Sequence, residues 1–173
     1  KEKLEQFGIP VLVEHSSYEP HPLGRTEWLK LYGVLLDKEE PAQELFEKQA
    51  DKVKNLENSK NTGKTVAFFY INSIGAANVR KSNDYVAKMI ELAGGKYIFD
   101  ELGEDDSALS TMNMQMEEFY AGAKDADYII YNSTIDGELT TIDQLLAKSS
   151  LLNDFKAVKN GNVWCTEQNL FQD

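Results

Sequence analysis

Cysteine and histidine are scarce in this chain of 173 residues, which has one cysteine and two histidines. A single cysteine excludes an internal disulfide framework, and this composition offers no Cys/His zinc pattern. We interpret Cys165, between Trp164 and Thr166, as a small buried hydrophobic side chain at the end of a strand. No run of roughly 18 apolar residues is present, so the sequence predicts no transmembrane helix.

Basic residues are outnumbered by acidic ones, and the formal net charge is −11. This balance argues against a nucleic-acid partner, which requires clustered lysine and arginine, and against direct contact with an anionic membrane surface. The acidic excess itself is typical of a soluble surface. With 42% apolar and 10% aromatic residues, the composition is that of a globular protein with a core.

The first part of the chain predicts a helix end, a strand and a long polar loop. Residues 1–8 are typical of a helix closed by glycine, and residues 9–13 form an apolar run that suits a buried parallel strand. The loop over residues 14–28 holds both histidines. No signal peptide is seen, and the chain opens within a helix without a start methionine. We therefore expect it to be the C-terminal part of a larger protein.

Two consecutive helices are predicted over about residues 26–57. Apolar residues recur at helical spacing from Trp28 onwards, with Thr26 as the first cap. Asp37 is expected to cap the second helix, with Glu40 at the capping-box position.

From Thr65 the pattern changes to strands that alternate with helices. Strands are expected near residues 65–71, 96–100, 127–132 and 162–166, with helices between them. Ser82 or Asn83 is expected to cap the first of these helices. Residues 102–114 are predicted to be a loop, whose acidic run 104–106 lacks the spacing of a calcium site. The fold class is therefore α/β, a three-layer α/β/α lobe with a mostly parallel sheet.

Four segments together resemble the substrate-binding proteins of iron–siderophore, haem and cobalamin ABC importers, in which a helical hinge joins two lobes. Residues 21–53 (HPLGRTEWLKLYGVLLDKEEPAQELFEKQADKV) resemble the hinge region. Residues 85–102 (YVAKMIELAGGKYIFDEL), 116–132 (MEEFYAGAKDADYIIYN) and 151–172 (LLNDFKAVKNGNVWCTEQNLFQ) resemble successive units of the second lobe. Many family members read Pro-Asp-x-Ile where this chain has Ala126-Asp127-Tyr128-Ile129.

The resemblance implies a domain organisation and a biological setting. Residues 1–23 would be a remnant of the first lobe, residues 24–61 the hinge helices and residues 62–173 the C-terminal substrate-binding lobe. The protein would be an extracytoplasmic monomer, in the periplasm or held at the outer face of the cell membrane by a lipid anchor outside this chain. Its partner would be the permease of an ABC importer.

The resemblance also implies a ligand site in the cleft between lobes, reached by three loops that leave strands: the opening loop, residues 72–80 and residues 132–138. The ligand would be an iron(III) chelate or a haem-like molecule, with no resident cofactor or structural metal. Arginine forks suit anionic chelates, and tyrosines give flat apolar contact. The candidate ligand-binding residues are Arg80, Arg25, Tyr70, Asn72, Tyr131, His21 and Tyr18.

Each candidate also has an ordinary structural interpretation. Arg80 could be a surface arginine, Arg25 a helix-entry salt bridge, and His21 a solvated loop residue rather than a metal ligand. For permease docking the resemblance points to Glu117, with Glu118 as the register alternative. Both could instead be first-turn glutamates that complement a helix dipole.

The alternative class is a hydrolase or transferase on an α/β sheet. The sequence has neither the Gly-x-Ser-x-Gly nor the Gly-x-Gly-x-x-Gly motif. Acid–base chemistry would have to use His15 or His21 with Glu14 or Glu19. A domain that only binds other proteins is the third interpretation.

Overall fold

The structure is a computed structural model that describes residues 1–57, 60–103 and 110–167. Seven α-helices lie in these ranges: α1 (Glu2–Gln6), α2 (Pro22–Leu35), α3 (Glu39–Glu57), α4 (Tyr85–Leu92), α5 (Met116–Ala123), α6 (Ile142–Lys148) and α7 (Lys156–Lys159). Six strands accompany them: β1 (Thr65–Ile71), β2 (Ala77–Arg80), β3 (Lys96–Tyr97), β4 (Thr111–Met114), β5 (Tyr128–Tyr131) and β6 (Val163–Cys165). Short 3-10 helices span Ser16–Tyr18 and Ser150–Asp154. The acidic run 104–106 lies outside the described residues.

The six strands form one sheet in the order β4-β2-β1-β5-β6, and β3 pairs with the start of β1. Strands β1, β3, β5 and β6 are parallel, as the alternation of strands and helices predicts. The α/β class is confirmed. The sheet also has an antiparallel half, because β2 folds back along β1 and β4 pairs with β2. These two strands occupy segments that were expected to be loops.

Side chains of β1 alternate between the two faces of the sheet, and one face carries the aromatic core. The ring of Phe69 lies 4.5 Å from that of Phe119 on α5 and 5.7 Å from that of Tyr131 on β5. Phe155 stacks on Phe119 at 5.6 Å. All four side chains are almost fully buried. Burial of this kind contributes about 1.5–3 kcal/mol per large apolar side chain, so this cluster holds β1, β5 and α5 in a fixed relation.

Helices α2 and α3 form a closely packed pair outside the sheet. The turn between them places Asp37 at φ 52°, and the amide of Lys38 donates to the carbonyl of Gly33 over 2.7 Å. A Cβ on Gly33 would come within 2.6 Å of the Cβ of Ala42, so the glycine allows the close approach of the two helices. Helix α3 begins at Glu39, so the expectation that Asp37 caps it is wrong.

Three further boundaries differ from the sequence-based expectation. Helix α2 begins at Pro22 rather than near Thr26. Proline is favoured in the first turn of a helix, and the side chain of His21 caps the N-terminus. Asp84, not Ser82 or Asn83, caps α4 by accepting from the amide of Val86 over 2.9 Å. Strand β3 is only two residues long.

The predicted strand at residues 9–13 is absent from the described residues. Ile9, Leu12 and Val13 are 48%, 57% and 42% exposed. Their β propensity does not suffice, because a strand requires a neighbouring strand that accepts its backbone hydrogen bonds. The described pairings all lie between residues 65 and 165. Within the same ranges, no helix is long and apolar enough to cross a membrane.

Candidate functional site

Polar side chains form a row across one face of the antiparallel half of the sheet. Tyr70 on β1 is the register partner of Asn78 on β2, and Asn78 is the register partner of Asn113 on β4. Register partners point to the same face, so these three side chains lie side by side. Arg80 and its partner Thr111 form the next row on this face. On β2 and β4 this face therefore carries polar side chains, and on β1 it carries Tyr70 and the buried Phe68.

Three amides are linked along the rim of this face. The oxygen Oδ1 of Asn113 accepts from Nδ2 of Asn78 over 2.9 Å and from Nδ2 of Asn72 over 3.4 Å. Asn72 follows the last residue of β1, and its own Oδ1 accepts from the amides of Ile74 and Ala76 over 3.1 and 3.0 Å. Asn72 thus shapes the turn between β1 and β2, and Asn78 and Asn113 are held next to it.

A second loop reaches the same edge after β5. Because β1 and β5 are parallel, the segments that follow them leave the sheet together. Asn132 accepts through Oδ1 from the amide and the hydroxyl of Thr134. Lys148 forms an ion pair with Asp136 across this loop. The tips of the two loops present Ile74 and Ile135, which are 82% and 66% exposed. The edge therefore combines ordered amides with exposed apolar tips.

Arg80, the first candidate anchor, forms an ion pair with Asp84. Its Nη1 lies 3.5 Å from Oδ2 of Asp84, and the two side chains are 14% and 2% exposed. Burial raises the pKa of Asp84, although the nearby Arg80 and Arg25 oppose this shift. Arg25, the second anchor, places its guanidinium 4.1 Å from the ring centre of Tyr85. The two arginines thus converge on one buried carboxylate between α2, α4 and β2.

The candidate tyrosines lie in different environments. Tyr70 is half-buried within the polar row, whereas Tyr131 is 1% exposed inside the core. Burial raises the pKa of Tyr131, and the ammonium of Lys148 lies 5.7 Å from its ring centre. Tyr18 is exposed at the end of a 3-10 helix, and its ring lies 5.7 Å from that of His15. Asn72, Asn78 and Asn113 together are called the amide row. Of the three tyrosines, Tyr70 is the one that the structure places beside it.

In the opening loop, several polar side chains accept hydrogen bonds from nearby groups of the same segment. Nδ1 of His21 accepts from the amide of Leu23 over 3.1 Å at the start of α2. Glu14 accepts from the amide of Ser16, and Glu19 accepts from the indole of Trp28. Over residues 1–57, 60–103 and 110–167, the structure groups no three His, Cys, Asp or Glu side chains in a way that could hold a metal ion.

Glu117 and Glu118 are exposed in the first turn of α5. Helix α5 starts two residues after β4, whose last residue, Met114, pairs with Ala77. Ala77 in turn pairs with Ile71, the last residue of β1. Both glutamates therefore lie at the same edge of the sheet as the amide row.

Sequence reasoning missed Asn78, Asn113 and Asp84. The signal for Asn78 was present, because Ala77 and Val79 alternate with Asn78 and Arg80 as buried and polar positions of a strand do. The pairing of β2 with β4 connects residues more than thirty positions apart, and no local pattern reveals it.

Comparison with known proteins gives a consistent result. The family model described as periplasmic binding protein matches residues 1–170. An uncharacterized lipoprotein of Methanocaldococcus jannaschii is 34% identical over 173 residues, which are 98% of this chain and 40% of that protein. A second uncharacterized lipoprotein from the same organism is 25% identical and is matched over 44% of its length. The chain thus spans less than half of these curated relatives.

Solved structures share the fold at lower identity. The periplasmic heme binding protein HutB of Vibrio cholerae superposes with a TM-score of 0.71 and 22% identity, over 96% of this chain and 62% of that one. A protein of an ABC-type Fe3+-hydroxamate transport system from Saccharomonospora viridis gives a TM-score of 0.71 and 18% identity, over 98% and 58%. At these identities the likeness concerns the fold.

Proposed function

Because the chain belongs to the periplasmic binding protein family, we propose that, as part of a longer protein, it captures a ferric siderophore or a related iron chelate and delivers it to the permease of an ABC importer. The family is one of solute-binding proteins. Relatives that are named lipoproteins support an extracytoplasmic location. Neighbours of the same fold that handle haem and ferric hydroxamates favour an iron chelate as the solute.

The observation that carries the proposal is the carboxyl edge of the sheet. Polar side chains of β1, β2 and β4 meet there beside two loops with exposed isoleucines. Open α/β sheets bind ligands at this edge, and a ligand cleft combines apolar walls with a few positioned polar groups. Tyr70 and Asn72 are the candidates that belong to this surface. Arg80 lies in the next row of the same face, where it pairs with Asp84, and Arg25 lies near the same carboxylate.

The domain organisation forms part of the same proposal. Residues 24–61 would be the hinge that joins the C-terminal lobe, residues 62–173, to a first lobe whose last residues are 1–23. Leu12 and Val13 are exposed here, and so are Leu35 and Leu36 at the end of α2, at 60% and 69%. Exposed apolar side chains can be covered by other protein, and a first lobe would cover these.

Permease docking is assigned to the first turn of α5. Glu117 and Glu118 lie on the rim of the proposed ligand surface, where a partner that receives the ligand would approach. An exposed carboxylate there can pair with a cationic side chain of the permease and fix the orientation of docking. The full-length protein is proposed to be a monomer that docks in this way.

A melting experiment on the full-length protein tests the proposal. A ligand that binds only the folded state raises the melting temperature, and the shift grows with the ratio of ligand concentration to dissociation constant. At least one of ferrichrome, ferric enterobactin, ferric citrate and haemin should therefore stabilise the protein at micromolar concentration. Generic esterase and phosphatase substrates are assayed in parallel for turnover. No shift with any chelate would overturn the proposal, and turnover that requires His15 or His21 would favour a hydrolase.

A further inference from the structure

The amide pair formed by Asn78 and Asn113 has one donor and one acceptor group that the described hydrogen bonds do not use. Oδ1 of Asn113 accepts from Asn78 and Asn72, which fixes the orientation of the side chains. Among the hydrogen bonds of the described residues, none uses Nδ2 of Asn113 or Oδ1 of Asn78. Two neighbouring side chains therefore offer one unused donor and one unused acceptor. An amide group of a ligand presents the complementary acceptor and donor.

The amide pair lies beside an aromatic side chain and is accessible to solvent. Tyr70 is the next residue of the cross-strand row and is half-buried, whereas Asn113 is exposed. A tyrosine ring offers apolar contact beside hydrogen-bonding groups, which suits a molecule with both carbon skeleton and amides. The side chains of this row can therefore contact a part of a ligand that is polar but uncharged.

The charges around the row oppose a polyanion. The two arginines that the sequence suggests as ligand anchors both contact protein groups. Arg80 forms an ion pair with Asp84, and the guanidinium of Arg25 lies over the ring of Tyr85. Lys148, after β5, forms an ion pair with Asp136. Glu117 and Glu118 add exposed negative charge at the same edge, on a chain whose net charge is −11. A field of this sign reduces the local concentration of anionic ligands.

We infer that Asn78 and Asn113 form a subsite for a neutral amide group, and that the protein selects neutral, amide-bearing ferric chelates over polyanionic ones. The inference rests on the proposed function and narrows its ligand class. The expectation that arginine forks meet an anionic chelate is the competing prediction for this surface. Asn113 acts as the donor to a ligand carbonyl, and Asn78 acts as the acceptor from a ligand N–H.

Calorimetric titration of the full-length protein tests the inference. The probes are ferrichrome, a neutral peptide trihydroxamate, and ferric enterobactin, a trianionic catecholate. Ferrichrome should bind at least about tenfold more tightly than ferric enterobactin. Asn113→Ala should weaken ferrichrome binding by about three- to tenfold, the size of one neutral hydrogen bond. Asn113→Asp should weaken it further, because a carboxylate replaces the donor and adds negative charge.

Asn153→Ala is the matched control, since Asn153 is an exposed asparagine whose amide donates to the carbonyl of Ser150 in a 3-10 helix. It should leave affinity unchanged, and melting temperatures should be similar for all variants. Ferric enterobactin that binds more tightly than ferrichrome would overturn the inference and leave the proposed function intact. Unchanged ferrichrome affinity in Asn113→Ala would do the same. Failure of every chelate, haemin included, would overturn both.

Discussion

Nη1 of Arg80 lies 3.5 Å from Oδ2 of Asp84, and this ion pair connects β2 to the first turn of α4. Arg25 of α2 stacks on the adjacent Tyr85. The sheet face that carries the amide row is therefore tied to the helical pair through one buried carboxylate. Arg80, Asp84, Tyr85 and Arg25 thus form a contact between α2 and the sheet.

Removal of the Asp84 carboxylate should destabilise the fold. Asp84→Ala removes the helix cap and the ion pair with Arg80, so we expect a loss of about 2–4 kcal/mol in the free energy of unfolding. Asp84→Asn should lose less stability, because the amide oxygen of asparagine can still accept from the backbone amide of Val86. The substitution also removes the buried charge of the carboxylate. Urea denaturation measures both variants. Equal losses would show that the cap contributes nothing.

Asp127 should make stability depend on pH on the acidic side. Its carboxylate accepts from the amide of Thr65 over 3.0 Å and from Lys156 and Lys64, and these bonds hold the pKa of Asp127 below its usual range. A carboxyl whose pKa is lower in the folded state contributes stability above the unfolded value of about 3.9 and loses it as the pH falls.

Asp127→Asn should therefore flatten the decline in the urea midpoint between about pH 5 and pH 3. Asp125→Asn is the control, because this neighbouring carboxylate is 80% exposed and pairs only with Lys124 among the described residues. The control should keep the decline of the parent. An identical pH profile for the parent and Asp127→Asn would contradict the assignment.

Gly33→Ala should force α2 and α3 apart. The added methyl group would lie 2.6 Å from the Cβ of Ala42 and 3.0 Å from the carbonyl oxygen of Lys38. Overpacking of this kind typically costs about 1–3 kcal/mol, which chemical denaturation detects. Adding Ala42→Gly should recover part of the loss, whereas Val34→Ala, at a neighbouring exposed position, should change stability by no more than about 0.5 kcal/mol. Full stability of Gly33→Ala would show that the helices separate freely.

Glu117→Arg should abolish chelate uptake in cells while the purified full-length protein keeps its ligand affinity. The charge reversal acts on the encounter with the permease, because the side chain is exposed at the rim and lies outside the amide row. A compensating charge reversal on the permease should restore uptake. If Glu118→Arg alone blocks uptake, the register is off by one residue. Normal uptake in both variants would remove this helix from the docking surface.

The strands β1, β5 and β6 were predictable because each is a short run of apolar, β-branched or aromatic residues between turn signals. The run at residues 9–13 has the same composition and forms no strand, since composition does not specify a pairing partner. The amide row escaped prediction for a related reason. Asn78 and Asn113 become neighbours only through the pairing of β2 with β4.

The ion pair of Arg80 could not be predicted from the sequence, and its role as a ligand anchor stays a prediction. The sequence shows an arginine in a segment between a strand and a helix, which suits a ligand anchor. The structure places it four residues before a carboxylate that caps the following helix, and the two charges pair. The sequence alone does not show whether Arg80 pairs with this carboxylate.

Hydrogen exchange on the full-length protein, with and without ferrichrome, tests the central claim most directly. Ligand bound at the carboxyl edge of the sheet should slow amide exchange in residues 72–80, 111–114 and 132–138. It should leave α7 and the turn at Gly161, at the opposite edge, unchanged. Protection confined to other parts of the protein, at ligand concentrations that saturate binding, would contradict the account.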